Sequence, residues 1–332
     1  MVRIGLLGAG HLGKIHLKLL RQIGDFEVAG FYDLDPEVRA KVAAESGVPA
    51  FSEIEALVDA VDALDIVTPT LSHFDCARLA LAKGRHIFIE KPLTNTLEEA
   101  KQLLALVQGS DLVAQVGHVE RFNPAFLSLA GMNLRPMFIE GHRLAMYNPR
   151  GTDVSVVLDL MIHDLDVVLS MVDSPIRQIS ASGIAVISAT PDIANARIEF
   201  ENGCVANLTA SRISIKNMRR LRIIQEGSYV AVDFLKKKSE VFRIREADDI
   251  PETPGTLKFD LGTGEDKKVL VFEMPPVAEG NAIQMELEEF AKSILHGAPV
   301  RVPVSDGYRA LETAHRILHE IDLLTQRAIH RA

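Results

Sequence analysis

The chain has 332 residues, a formal charge of −9 and the apolar and charged fractions of an ordinary globular protein, enough for two domains. The acidic balance leaves no electrostatic footprint for nucleic acid, and no apolar run approaches the roughly 18 residues that span a bilayer, so neither nucleic acid nor membrane is an expected partner. The N-terminus enters a folded motif directly, without a secretory apolar region, and the two cysteines, Cys76 and Cys204, have no metal-binding spacing; a reducing cytoplasm and no metal site are expected.

Val2 to Leu7 reads as a first strand, followed by Gly8-Ala9-Gly10-His11-Leu12-Gly13 and a helix marked by Leu12, Ile15, His16, Leu19, Leu20 and Ile23. This strand–turn–helix setting is what a dinucleotide fingerprint requires. Gly8 permits the tight turn, Gly10 lets backbone amides approach a pyrophosphate, and Gly13 lets the helix lie close on its strand. The helix N-terminus brings partial positive charge to the phosphates. Phe26 to Tyr32 is a second strand that closes on Asp33, roughly 20–25 residues past the glycines, where a ribose-binding acid belongs. Asp35-Pro36 already supplies a cap and a first-turn proline for the next helix, which leaves Asp33 for the ribose. An acid there repels a 2′-phosphate and Leu34 brings no arginine beside it, so NAD is expected rather than NADP.

The alternation continues with helices over Pro36 to Ser46 and Glu53 to Val58 and a third strand over Ala63 to Val67, broken by Thr68-Pro69-Thr70. A helix capped by Ser72 runs to Lys83, with Gly84 ending it. His73, just past the third strand, is open to two readings: cofactor contact or a first-turn surface position. His86 to Ile89 is a fourth strand, Thr96 to Gln108 a helix, and Leu112 to Val116 a fifth strand. Strand and helix in turn make a doubly wound parallel sheet, an α/β Rossmann domain over residues 1–120. The fourth strand ends in Glu90-Lys91-Pro92. Pro92 cannot continue a central ladder, so Lys91 stands at the carboxyl end of a strand, the edge where ligands bind. Thr68, Pro69, His73, Glu90 and Lys91 join Asp33 and the glycine loop as the expected cofactor site.

Past Gly117-His118-Val119-Glu120-Arg121-Phe122-Asn123-Pro124 the pattern changes. Strands now follow one another without helices: Met137 to Leu144, Arg177 to Val186, Ala194 to Phe200, Cys204 to Ser211, Leu221 to Gln225, Tyr229 to Asp233, Val241 to Ile244 and Val269 to Phe272. Glu201-Asn202-Gly203 is a hairpin signal. Residues 121–332 are therefore read as an α+β domain built on a large, open, mostly antiparallel sheet. Such a sheet must cover its free face, and self-association into a homodimer or homotetramer is one way to do it. Lys236-Lys237-Lys238 reads as a solvated turn. Either of the helices over Ala282 to Leu295, ended by Gly297, and Ser305 to Leu324, capped by Ser305, could return to pack on the first domain, and the sequence does not choose between them.

One helix interrupts the strands, over Val156 to Met171, and is apolar nearly all round, hence buried. Asp159, His163 and Asp166 fall at i, i+4 and i+7 and form one polar stripe on it. A buried carboxylate is costly unless paired, and Asp159, one turn before His163, can orient its imidazole. Asp164 lies off the stripe, as a surface or inter-domain contact. Histidine titrates where a proton must leave a hydroxyl during hydride transfer, and Lys91 can hold the same oxygen as charge develops. The two must then meet in an inter-domain cleft. A structural Asp–His pair is the competing reading.

The glycine fingerprint, Glu90-Lys91-Pro92 and Asp159-x-x-x-His163, in that order, resemble the Gfo/Idh/MocA oxidoreductases. The resemblance implies that Lys91 is the catalytic lysine, that a cis peptide precedes Pro92, that His163 transfers the proton and that Asp159 supports it. Members often carry a glycine run before that aspartate, where this chain has Ser155-Val156-Val157-Leu158. Within the family the chain looks most like bacterial members acting on sugar nucleotides. That implies NAD-dependent oxidation of a sugar's secondary alcohol, the 3-hydroxyl of UDP-N-acetylglucosamine foremost, feeding amino-sugar synthesis for lipid A or other surface glycans. A sugar diphosphate needs cations, and Arg143, Arg150, Arg212 and Lys216 are available, although each reads more readily by itself as an ordinary surface or ion-paired residue; Arg121, Asn123, Asn148 and Arg150 complete the candidate substrate contacts. Two alternatives stand beside it: a dehydrogenase of a free polyol, aldose or other small carbonyl compound, and a catalytically silent NAD-sensing protein.

Overall fold

A computed structural model describes residues 1–148, 154–246, 257–260 and 268–329. It divides into two compact units: Met1–Phe122 with Gly280–Glu312, and Asn123–Glu279 with Thr313–Ala332. The first unit thus takes a C-terminal stretch that the contiguous division at residue 120 leaves with the second domain.

The first unit is built on a five-stranded sheet in the order β2-β1-β3-β4-β5, all parallel. The strands are β1 (Val2–Leu7), β2 (Phe26–Tyr32), β3 (Ala63–Ile66), β4 (His86–Glu90) and β5 (Ala114–Gly117). Ile87, Phe88 and Ile89 have no exposed surface, as a strand covered on both faces requires. The helices are α1 (His11–Leu20), α2 (Pro36–Ser46), α3 (Ile54–Asp59), α4 (His73–Ala82) and α5 (Leu97–Val107). Their ends follow local chemistry. Asp35 caps α2 by accepting from the Glu37 N–H at 2.8 Å, with Pro36 in the first turn. Thr96 and Glu99 form a reciprocal capping box on α5. Ser72 makes no capping bond; a short 3₁₀ turn over Thr70–Ser72 leads into α4 instead. Later in the chain, the helix over Ala282–His296 returns to this unit, and its Leu287, Phe290 and Ala291 are fully buried among Val2, Ile4, Leu20 and Phe88.

The second unit carries the short α6 (Pro124–Leu127) and a nine-stranded sheet: β6 (Phe138–Leu144), β7 (Ile176–Ile184), β8 (Ile193–Phe200), β9 (Val205–Ser211), β10 (Met218–Gln225), β11 (Ser228–Asp233), β12 (Lys238–Glu246), β13 (Leu257–Asp260) and β14 (Lys268–Glu273). Its order is β13-β14-β12-β11-β10-β6-β9-β8-β7, antiparallel throughout except where β6 runs parallel to β9. The one-sided alternation is plain in β8, where Ala194, Ala196, Ile198 and Phe200 are buried while Asn195 and Arg197 are exposed. β13 was missed in the sequence, being four residues long.

The apolar helix comes in two parts. Val157–Met161 forms a π turn, and α7 (Ile162–Met171) continues from it. The uniform α-helix expected over Val156 to Met171 is therefore corrected to a helix with i→i+5 bonding in its first turn, an irregularity that is common at functional sites. α8 is Ala282–His296 and α9 is Val304–Ile329, so Ser305 lies inside α9 rather than capping it. Among the described residues no helix is long and apolar enough to cross a membrane, and no group of three or more His, Cys, Asp or Glu side chains could hold a metal ion.

Candidate active site

In the first unit, the expected cofactor residues gather around one cavity of about 1060 Å³. Gly8, Gly10, His11, Leu12 and Gly13 line one side of it; Asp33 lies at another, and Thr68, Pro69, His73, Glu90 and Lys91 complete the wall. The glycines differ in what they permit. Gly8 has φ +90°, and a Cβ on it would come 2.6 Å from the Val67 carbonyl oxygen. A Cβ on Gly13 would come 2.0 Å from the Gly8 oxygen. A Cβ on Gly10 would meet nothing within 4 Å beyond its chain neighbours and its own helix backbone, and no side chain caps the start of α1. The loop is thus closed against its own fold and open toward the cavity, and the N–H groups at the start of α1, with no side-chain cap, suit an anion. These residues fit a dinucleotide.

Asp33 does more than the sequence suggests. Its Oδ2 accepts the Ala9 N–H at 2.7 Å and its Oδ1 the Asp35 N–H at 3.0 Å, so the carboxylate also ties the glycine loop to the end of β2. Each carboxylate oxygen accepts more than one hydrogen bond, leaving capacity for ribose hydroxyls. Arg39, overlooked in the sequence because it is not adjacent to Asp33, reaches back from α2. It donates to the Asp33 carbonyl at 2.6 Å and sits 5.5 Å from the centroid of the Tyr32 ring.

Lys91 is half-buried at the end of β4, and its peptide to Pro92 is cis, as the family resemblance implied. Its N–H donates to the Glu90 carboxylate at 3.1 Å. His73 is only 1 % exposed, which rules out the surface reading. Its Nδ1 lies 2.9 Å from the Pro92 carbonyl oxygen and its Nε2 2.9 Å from that of Thr68. The ring therefore spans the residue after Lys91 and the end of β3. Burial lowers its pKa, and the carbonyls only partly offset that. Arg121, in the same unit, donates to Asp306 at 2.7 Å.

In the second unit, Asp159 lies in the π turn and His163 in the first turn of α7, both half-buried; Asp166 is buried. Asp164, expected as a surface or inter-domain contact, is instead 3 % exposed and forms a bidentate ion pair with Arg143 of β6 in its own unit, with contacts of 2.7 and 3.1 Å. Arg143 is thus held inside the unit, and its guanidinium also lies 5.9 Å from the Phe234 ring. Arg212 is 5 % exposed and donates to the Val154 carbonyl. Of the two readings open for Arg143, a diphosphate contact or an ion-paired residue, the structure shows the ion pair. Lys216 is exposed. Asn123 caps α6 through the Ala125 N–H and donates to the Phe234 carbonyl at 3.1 Å. Asn148 is exposed, and Arg150 lies outside the described residues.

Residues 2–118 match the model of the GFO/IDH/MocA oxidoreductase family's NAD-binding Rossmann fold, and residues 137–230 match the family's C-terminal domain. The chain belongs to this family. It is an NAD-dependent oxidoreductase, and the glycine loop, Asp33 and Lys91 occupy its cofactor domain. It is 36 % identical over 328 residues to UDP-N-acetylglucosamine 3-dehydrogenase of Acidithiobacillus ferrooxidans, covering 98 % of this chain and 99 % of that one. The solved structure of that enzyme superposes with a TM-score of 0.86 at 34 % identity, over 97 % and 98 % of the two chains. Scyllo-inositol 2-dehydrogenase (NAD(+)) of Bacillus subtilis is 32 % identical over 232 residues, 64 % of this chain and 68 % of that one. A levoglucosan dehydrogenase solved with NADH and L-sorbose has the same fold, with a TM-score of 0.81 at 20 % identity over 97 % and 96 % of the chains.

Proposed function

We propose that this chain oxidises the 3-hydroxyl of UDP-N-acetylglucosamine to a ketone. The observation that supports this reading is a likeness to a UDP-N-acetylglucosamine 3-dehydrogenase that runs over 98 % of the chain rather than over the cofactor domain alone. Bound NAD supplies the hydride acceptor. The chain supplies the rest. Gly10 and the first N–H groups of α1 receive the pyrophosphate, and Asp33 receives the adenosine ribose. Lys91 donates to the substrate's hydroxyl oxygen and stabilises it as charge develops. His163 takes the hydroxyl proton while the hydride leaves the same carbon, and Asp159 orients the imidazole. The ketone so formed is a substrate for an amine-transferring enzyme, in a route to amino sugars of surface glycans. A homodimer or homotetramer through the exposed face of the nine-stranded sheet completes the reading.

The test is NAD reduction with UDP-N-acetylglucosamine, with the product's loss of two hydrogens read by mass spectrometry. Lys91→Met is expected to lower kcat about 100- to 1,000-fold and His163→Ala about 100- to 10,000-fold, with NAD binding retained in both. Turnover of inositols or free sugars, and none of UDP-sugars, overturns the substrate. Unchanged kcat in both variants overturns the assigned roles.

A further inference from the structure

Beneath the cofactor cavity lies a buried polar cluster that the reaction as described does not use. His16 of α1 and Asp65 of β3 have no exposed surface, and Glu90 of β4 has 7 %. His16 Nδ1 lies 2.9 Å from Asp65 Oδ2, and its Nε2 lies 3.3 Å from Glu90 Oε1. The other Glu90 oxygen accepts the Lys91 N–H at 3.1 Å. On its far side Glu90 is confined by β5, since a Cβ on Gly117 would come 2.9 Å from Glu90 Oε1. We infer that His16 is a positioning residue for Lys91: it holds Glu90, and Glu90 holds the lysine's peptide. The inference rests on Lys91 being the lysine that grips the substrate oxygen.

Three observations carry it. The imidazole sits between two carboxylates, hydrogen-bonded to Asp65 through Nδ1 and at ion-pair distance from Glu90 at Nε2, and a charged ring there attracts both together. A buried triad of charges is also a poor source of stability: an apolar replacement of similar volume is often neutral or better. What such a triad provides is one fixed arrangement, and here that arrangement ends on the peptide of Lys91. Finally, the groups around the triad leave its charges standing. Burial pushes the His16 imidazole down, but Asp65 and Glu90 together hold its pKa well above the usual range. Glu286 of α8 is fully buried, with no hydrogen-bond partner for either oxygen among the described residues. Burial first, and then the charge of Glu90, push its carboxyl well above the usual range, which favours its neutral form beside the triad. Asp65 and Glu120 also bear on Glu286, and His73 of α4 feels Glu90.

The experiment uses the full-length protein and three variants, His16→Gln, His16→Phe and Asp65→Asn, with Lys91→Met as reference. Each is measured for kcat per folded molecule, NAD affinity, and amide hydrogen exchange over residues 88–94 without cofactor. Both His16 variants are expected to lose about 10- to 100-fold in kcat, the scale of a misplacement of about 1 Å. Their NAD affinity should stay within about threefold, and the Lys91 amide should exchange faster. Asp65→Asn removes one of the two carboxylates that hold the proton on His16, so its kcat should fall at alkaline pH where the parent's does not. A role in stability alone would lower Tm in all three while leaving kcat per folded molecule and the alkaline profile of Asp65→Asn unchanged, and that result overturns the inference. Should His16→Phe not fold, His16→Gln and Asp65→Asn still decide it. If Lys91→Met keeps its kcat, the role given to Lys91 fails, and the amide exchange separately reports whether His16 holds the 90–91 peptide.

Discussion

At the scale of single residues, the three glycines of the nucleotide loop do different work, and the structure separates them. Gly13 is required by the fold itself: a methyl group there would meet the Gly8 carbonyl oxygen at 2.0 Å, backbone against backbone, with no flexible side chain to yield. Gly10 is required only by what the loop binds. It has φ −66°, a conformation any residue can adopt, and a methyl group placed on it would meet nothing within 4 Å beyond its chain neighbours and its own helix backbone. Gly13→Ala is therefore expected to cost about 3 kcal/mol or more, at the upper end of overpacking, and to show in the calorimetric Tm without any ligand. Gly10→Ala should leave stability within about 0.5 kcal/mol and weaken NAD binding at least about tenfold by titration calorimetry. Equal loss of stability in both would sink the distinction. Gly8, Gly13 and Asp33 were legible in the sequence because a strand–turn–helix unit demands them at fixed spacing. The bond from Asp33 to the Ala9 N–H and the return of Arg39 were not, because they depend on which face of α2 turns back toward the end of β2.

At the scale of elements, β4 shows how much a short run can disclose. Ile87-Phe88-Ile89 announced a strand buried on both faces, and Pro92 announced its end; with those two facts Lys91 could only stand at the sheet's carboxyl edge. The apolar helix over Val157–Met171 was legible in its burial but not in its geometry. Nothing in Val157–Met161 spells out an i→i+5 turn, and helical spacing alone treated Asp159 and His163 as members of a regular stripe. The same stripe put Asp164 outside, whereas the structure buries it against Arg143. An arginine on one strand and an aspartate 21 residues later give no local signal of their pairing. The pair fastens α7 to β6, directly beside His163. Arg143→Met alone removes the bidentate guanidinium from the buried Asp164 and should destabilise the second unit by about 3–5 kcal/mol. Replacing both, Arg143→Met with Asp164→Leu, should recover most of that, as measured by denaturant unfolding. No recovery in the double variant would show that the pair is not the source of the loss.

At the scale of the whole molecule, the change from strand–helix alternation to successive strands gave away two domains, but not the return of residues 280–312 to the first unit. An amphipathic helix states that it has a partner, not which one. Glu286 was the missed clue, a carboxyl on the apolar stripe of α8 beside Leu287 and Phe290, all fully buried. Its position makes stability depend on pH. Burial and the charge of Glu90 raise its pKa well above the usual range in the folded state, while in the unfolded chain the proton leaves near the ordinary carboxyl value of about 4.3. His16, held protonated by Asp65 and Glu90 against the effect of burial, behaves likewise above its ordinary value of about 6.5. In both cases the folded protein binds the extra proton, so stability falls as pH rises through these values, by up to about 1.4 kcal/mol per pH unit for each group. Asp192 acts in the opposite sense. Backbone N–H groups of Val186, Ile187 and Ser188 outweigh its burial and hold its carboxyl below the usual range, so its contribution is lost only in acid. The Tm of the first unit should accordingly be higher at pH 5.5 than at pH 8.5, and Glu286→Gln, which cannot titrate, should flatten that slope. A Tm that rises across this interval would show that the folded state binds no excess proton, and a slope that Glu286→Gln leaves intact would place that proton somewhere other than α8.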